Sequence, residues 1–315
     1  MATPVRRTAT KTSPAVPIAE LADLAEVDER VEQELKALSS LFNSPCFPLI
    51  IPDSMTPRTV DDVFETLRSG DYKKNAQCLI VVIDSPGGDI NSAYNLALLF
   101  RRYAKKLHFI VPRWAKSAAT LLVCAGDEIS MTPVAEVGPV DPQITVFNPI
   151  ENRLEQFSPL HIESTLELIR SEFANGNSKL AEGLLLRLQF PLTLGSFKTS
   201  LDVGKVYLQR LLSTRMMADK SEEEVKAVAE KFVEGYTDHG FVIGCHELDG
   251  LGLNVNELDG KKLDVVWSLH LLNRRRHEIM NKKEQEAMEE RIKQLPPDLF
   301  DLNPLVEPAR NGATP

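Results

Sequence analysis

Two hydrophobic periods alternate along this chain. From about Ile18 to Phe42, the positions Leu21, Leu24, Val27, Val31, Leu35, Leu38 and Leu41 recur every three or four residues among acids, which predicts an amphipathic helix. "FPLIIP" then predicts a short strand, and "TPRTVDDVFETLRS" a helix with Thr56 as its cap and Pro57 in its first turn. In "CLIVVIDSPGGDINSAYNLALLFRRYAKK" a continuous apolar run leads through a Pro-Gly-Gly turn into a helix with a broad stripe at Ala93, Leu96, Ala97, Leu99 and Phe100. "LHFIVP" and "EISMTP" are further short apolar runs. Strands apolar on both faces belong to buried parallel sheets. Strand, helix and strand at this spacing predict a crossover α/β sheet with right-handed connections.

The periodicity weakens from Phe147 to about Thr199, where "LHIESTLELIRSEF" and "GLLLRLQF" read as helices between polar breaks, and we treat 147–197 as an insertion. "SLDVGKVYLQRLLSTRMM" and "SEEEVKAVAEKFVEGY" are stronger helices, the second with Ser221 and Glu224 at capping-box spacing. "TDHGFVI" reads as the start of an apolar strand. After "GCHELDGLGLNV" comes an apolar-periodic and then charged segment, followed by a Pro-rich tail. The expected organisation is a disordered arm over 1–17, a main α/β domain over 18–255 containing the insertion, and a C-terminal helix and tail over 256–315.

Composition narrows the function classes. The 315 residues, 43% of them hydrophobic, suffice for a sizeable core. A net charge of -9 argues against nucleic acid as the main partner. Four cysteines without metal-ligand spacing, no signal-peptide core and no membrane-length apolar run predict a cytoplasmic protein with no membrane span and no metal.

Candidate chemistry sits at the ends of two strands. In "DSPGGD", Gly87 and Gly88 remove side chains from the turn, so that backbone N–H groups can approach an anion closely. In "WAKSAATLLVCAG", Ser117 heads a helix, where it could be a cap or a nucleophile. Ligands of open α/β sheets lie beyond the carboxyl ends of the strands, where both stretches fall.

Together, "DSPGGDI", Ser117 and "LLVCAG", with Gly126 nine residues after the serine, resemble the ClpP/crotonase superfamily. The later "VGPVDPQI" and "HGFVI" are similar to the serine dehydrogenase proteinase family, related to signal peptide peptidase A. The resemblance implies a ClpP/crotonase-like spiral of ββα units, here with a helical insertion and a helical C-terminal extension. It implies Ser117 as nucleophile of a serine peptidase, with the N–H groups of Gly88 and Ala118 as oxyanion hole. It implies no cofactor, a peptide or protein substrate, and a homo-oligomer. The apolar residues Trp267, Leu269, Leu271, Leu272 and Ile279 beside a charged stretch offer independent support for assembly, unless they pack on the subunit's own sheet.

The general base is open at this level. A ClpP-type histidine would fall near Asp141, but that stretch holds no histidine, so Asp141 is assigned a site-shaping role with Gly87. A Ser-Lys dyad points to Lys198 or Lys205, seven residues apart, with Lys198 favoured; Lys116 adjoins the serine but neighbours generally point apart. His239 is the competing base, and His246 a weaker one. The alternatives to a peptidase are a crotonase-type acyl-CoA enzyme and a non-catalytic assembly protein with the same fold.

Overall fold

The computed structural model describes residues 17–294 except 52, 71, 73–75, 142, 149–151, 188–193 and 237. The expected arm and Pro-rich tail therefore lie outside the described residues, apart from Pro17. In chain order the elements are α1 (Leu24–Phe42), β1 (Cys46–Ile50), α2 (Pro57–Ser69), β2 (Ala76–Asp84), α3 (Ile90–Tyr103), β3 (Ala104–Val111), β4 (Trp114–Ala115), α4 (Ala118–Val123), β5 (Glu128–Met131) and β6 (Glu136–Val137). There follow β7 (Ile144–Asn148), β8 (Arg153–Phe157), α5 (Pro159–Ala174), α6 (Ser178–Arg187), α7 (Leu194–Ser213), α8 (Glu222–Glu234), α9 (Cys245–Gly250), β9 (Val255–Glu257) and α10 (Gly260–Lys293).

The chain divides into two compact units, of which Arg30–Leu271 is the larger. Its centre is a parallel sheet in the order β1-β2-β3-β5-β9, the α/β class expected from the apolar runs. Odd positions of β2 and β3, such as Leu79, Val81, Ile83, Phe109 and Val111, join a large core with residues of α2, α3, α4, α7 and α8. Even positions Ile80, Val82 and Ile110 pack with Leu38 of α1 and with Val266 and Leu269 of α10. Both faces of the sheet are covered, which is why its strands lack polar alternation. In the smaller unit, Arg275 donates to the Leu21 carbonyl at 2.7 Å and Arg276 pairs with Asp28 at 2.8 Å.

Capping signals act where they were read. Thr56 and Thr59 form a capping box at α2, and Ser221 and Glu224 form one at α8. Three expectations are corrected. The insertion is not purely helical, because β7 and β8 pair as an antiparallel hairpin with Phe147 opposite Leu154. "HGFVI" forms no strand: His239 and Gly240 lie in a turn, Phe241 and Val242 are exposed, and Ile243 alone makes an isolated bridge to Val137. The apolar start of α10 does not await a second copy, since Val266 and Leu269 are buried in the chain's own second core.

Candidate active site

The Pro-Gly-Gly turn is stitched to its neighbours by backbone bonds. Ser85 N–H donates to the Trp114 carbonyl at 3.0 Å and Lys116 N–H to the Ser85 carbonyl at 3.1 Å, so β2 runs on alongside the segment that delivers Ser117. On the other side Met55 N–H donates to the Gly87 carbonyl at 2.7 Å, and Asp89 N–H to the Met55 carbonyl at 2.9 Å. This pairing skips the Gly88 N–H, which has no acceptor among the described residues. Gly87 and Gly88 have φ of 111° and 134°, where side chains are strongly disfavoured. A Cβ on Gly87 would stand 2.7 Å from the Lys116 carbonyl oxygen and 2.9 Å from Ser117 Cβ, so the turn packs directly beneath the serine.

Ser117 precedes α4 but does not cap it with its side chain. Its φ of 51° and ψ of -118° lie outside the ordinary regions for a side-chain-bearing residue, a conformation that costs about 1–3 kcal/mol and persists where the surroundings impose it. Among the described residues neither its hydroxyl nor the Ala118 N–H has a hydrogen-bond partner. The choice between cap and nucleophile thus turns against the cap.

Asp141 follows β6 and is 2% exposed. Val140 N–H donates to the Phe232 carbonyl at 2.9 Å, which fixes this segment on the end of α8. One carboxylate oxygen of Asp141 accepts from Gln143 Nε2 at 3.1 Å, and the other meets His239 Nδ1 at 2.5 Å. Because a carboxylate can only accept, Nδ1 carries a proton, and the neutral imidazole in this orientation has its lone pair on Nε2. The His239 turn is itself held by Asp238, whose side chain accepts from Gly240 N–H at 2.7 Å.

These groups border one cavity of about 420 Å³, lined among others by Gly88, Ser117, Ala118, Asp141, Gln143 and His239. Among the described side chains, no other candidate base lines this cavity. Lys205 does not line the cavity; its ammonium pairs with Glu234 at 2.5 Å. Lys116 is engaged by Glu136 at 3.0 Å and by two carbonyls. Lys198 lies in α7 with its side chain outside those described, and His246 is exposed on α9. The thiol of Cys124 offers no rival nucleophile, because complete burial pushes it up to about 12. Among the described residues no group of three or more His, Cys, Asp or Glu is arranged to hold a metal ion. No described helix is long and apolar enough to cross a membrane.

Sequence reading assigned no site role to Gln143, Val140, Asp89, Ser54 and Ile90, which also line the cavity. Gln143 stands inside "VGPVDPQI", two residues from Asp141, which was the one available signal.

Residues 51–166, which carry the Pro-Gly-Gly turn, Ser117 and Asp141, match the family described as ClpP-like SDH-type serine proteinase. The resemblance drawn from the two motifs stands over the segment that holds both, while His239 lies beyond it. Two uncharacterized proteins of Methanocaldococcus jannaschii, MJ1495 and MJ0137, share 26% identity over 215 residues and 24% over 216. The alignments cover 67% and 69% of this chain and 63% and 64% of theirs, so the chain spans under two thirds of these relatives. Similar solved structures include two variants of the 1510-N membrane-bound stomatin-specific protease, at 16% identity and TM-scores of 0.40 and 0.41. They cover 69% of this chain and 81% and 77% of theirs. The ClpP protease catalytic domain from Plasmodium falciparum aligns at 13% identity with a TM-score of 0.38, covering 68% of this chain and 86% of that one.

Proposed function

We propose that this chain is a serine hydrolase that cleaves peptide bonds through an acyl-enzyme on Ser117, with His239 as general base and Asp141 orienting it. The observation that carries the reading is that Ser117, the unpaired N–H groups of Gly88 and Ala118, and the His239–Asp141 pair border one cavity. Ser117 Oγ adds to the substrate carbonyl carbon as its proton passes to His239 Nε2. The developing oxyanion is met by the two N–H groups, each worth about 2.7–4 kcal/mol to a transition state of this kind. His239 returns the proton to the leaving amine as the C–N bond breaks, and water, activated by the same imidazole, releases the acyl group. This reading prefers His239 to the Ser-Lys dyad favoured on sequence, because the histidine has a buried carboxylate behind it and borders the cavity; the side chain of Lys198, the lysine favoured there, lies outside those described.

Labelling by a serine-reactive fluorophosphonate tests the proposal. We expect Ser117→Ala to abolish labelling and His239→Ala to slow it about a hundredfold or more, with Lys205→Ala within threefold of wild type. Labelling that survives His239→Ala but not Lys198→Ala would return the base to the lysine. Homo-oligomeric assembly, which rests on the family resemblance, and a cytoplasmic setting, which rests on the pattern of the four cysteines, belong to the same proposal. A single 35.1 kDa species sedimenting at micromolar concentration with full activity would refute assembly.

A further inference from the structure

We infer that Lys116 is a positioning residue that holds the His239 turn and the Asp141 segment in register with Ser117. Its ammonium has three donors and three oxygen acceptors around it: Glu136 Oε1 at 3.0 Å, the Val137 carbonyl at 3.3 Å and the Phe241 carbonyl at 3.2 Å. Each acceptor belongs to a segment that carries part of the site. Lys116 is the residue before Ser117; Phe241 is two residues after His239; Glu136 and Val137 lead into Asp141. His239 and Asp141 stand 98 residues apart in the chain; the backbone joins their segments through the Val137–Ile243 bridge and the β4–β6 pair, and the Lys116 ammonium adds a tie at Phe241, two residues closer to the His239 ring than that bridge.

The surroundings are shaped to this cation. A Cβ added to Gly138 would fall 2.7 Å from Lys116 Cδ and 3.7 Å from the His239 carbonyl oxygen, so the bare backbone of Gly138 is the floor on which the lysine stem lies. Thr120 fastens the same floor, its hydroxyl 2.6 Å from the Ala115 carbonyl and 2.8 Å from the Gly138 carbonyl, with Gly138 N–H donating back at 3.1 Å. With side-chain exposures of 17% and 16%, the Lys116–Glu136 pair is well shielded from solvent, where a charge-assisted bond is stronger than at an open surface. The "KSAAT" stretch thus presents a nucleophile flanked by two side chains that anchor the acid–base half.

The inference rests on His239 as base, and the test separates the two. The second-order rate constant for fluorophosphonate labelling of Ser117 is measured for wild type, Lys116→Met, Lys116→Arg, His239→Ala and the Lys116→Met/His239→Ala double variant. Misplacing a catalytic group by an ångström costs on the order of a hundredfold, so Lys116→Met is expected to lose about ten- to a hundredfold, and Lys116→Arg, which keeps a cation with several donors, less than about fivefold. In the His239→Ala background Lys116→Met should change the rate less than about twofold, because a residue that acts through His239 has nothing left to position. Should Lys116→Met fail to fold, Gly138→Ala displaces the same stem and carries the same expectation. Losses that multiply in the double variant, equal losses in the Met and Arg variants, or a Met variant as fast as wild type overturn the inference while leaving the His239 reading intact. Labelling that does not depend on His239 overturns that reading, and the inference with it.

Discussion

Among the described residues of the larger unit two histidine–aspartate pairs occur, and their chemistry is the same up to the first hydrogen bond. His239 Nδ1 meets Asp141 at 2.5 Å, and His270 Nδ1 meets Asp84 at 2.7 Å, each with its carboxylate buried. They differ in what surrounds the remaining polar atoms. The second oxygen of Asp141 accepts from Gln143, and the His239 side chain, 36% exposed, borders the cavity with Ser117. Asp84 Oδ1 has no partner, and the His270 ring is 12% exposed and stacked on Trp267 with centroids 4.9 Å apart. Asp84 begins the "DSPGGD" stretch, yet it alternates with Ile80 and Val82 onto the sheet face that α10 covers. On the proposed reading the pair that borders the cavity with Ser117 is the acid–base device, while the pair under α10 is a tie between strand and helix.

The largest expected effect comes from removing each imidazole in turn. His239→Ala should lower the labelling rate by about 10²–10⁴ at a stability cost of about 1–2 kcal/mol, since Asp141 keeps its bond from Gln143 and loss of the partly exposed ring opens its other oxygen to the cavity. His270→Ala should do the reverse. It leaves a buried carboxylate with neither oxygen partnered, a loss on the order of 3 kcal/mol in urea unfolding, with labelling within about threefold of wild type. Equal losses of activity in both variants would erase the distinction. A smaller effect is expected where the comparison is sharpened by moving the serine and leaving both pairs in place. Gly87→Ala forces a Cβ against the Lys116 carbonyl and Ser117 at a φ of 111°, so we expect about 1–3 kcal/mol of destabilisation and a labelling rate down about tenfold. A Gly87→Ala protein that labels at the wild-type rate would show that the close packing beneath Ser117 does not set its position.

What was legible in the sequence was local. The Thr56 and Ser221 caps, the parallel strands and the serine half of the site each announce themselves within a few consecutive residues, because the chemistry of a cap or of a glycine turn is confined to such a span. The acid–base half is not local. Asp141 was singled out as shaping the site, and His239 as a competing base, but nothing in the spacing joins residues 98 positions apart, and the lysines ranked above His239 on resemblance alone. The "FVI" run after His239 imitates a strand, while Phe241 and Val242 face solvent and Ile243 alone turns inward. The hairpin of β7 and β8 escaped notice because its outward Phe147 and Leu154 and its interspersed polar residues follow no clean alternation. Apolar residues at the start of α10 suggested a partner subunit, since a sequence does not say which surface an amphipathic face will meet.

A third histidine extends the comparison to a ring whose nitrogen meets a hydroxyl, with the nearest Glu128 oxygen 3.9 Å away. His108 Nε2 lies 2.8 Å from Ser130 Oγ, the Ser130 hydroxyl donates to Asn256 Oδ1 at 2.8 Å, and Asn256 Nδ2 donates to Glu128 at 3.0 Å. With its proton committed to Asn256, Ser130 must accept, so His108 is the neutral tautomer protonated at Nε2. Burial holds its protonation down to about 4; Lys106 and Lys262 push the same way, and the Glu128 charge opposes them. An unfolded histidine takes its proton near pH 6.5 while the folded one waits, so the unfolded state binds more protons in between, and stability falls as pH drops from about 6.5 toward 4. We expect the wild type to lose on the order of 1–2 kcal/mol more than His108→Phe between pH 7 and pH 4.5, read from urea unfolding at both. Phenylalanine keeps the edge contact with the Phe42 ring, 5.3 Å away, so the variant removes the titration and retains the packing. Identical acid slopes for the two proteins would mean that the acid sensitivity of the fold originates at other groups.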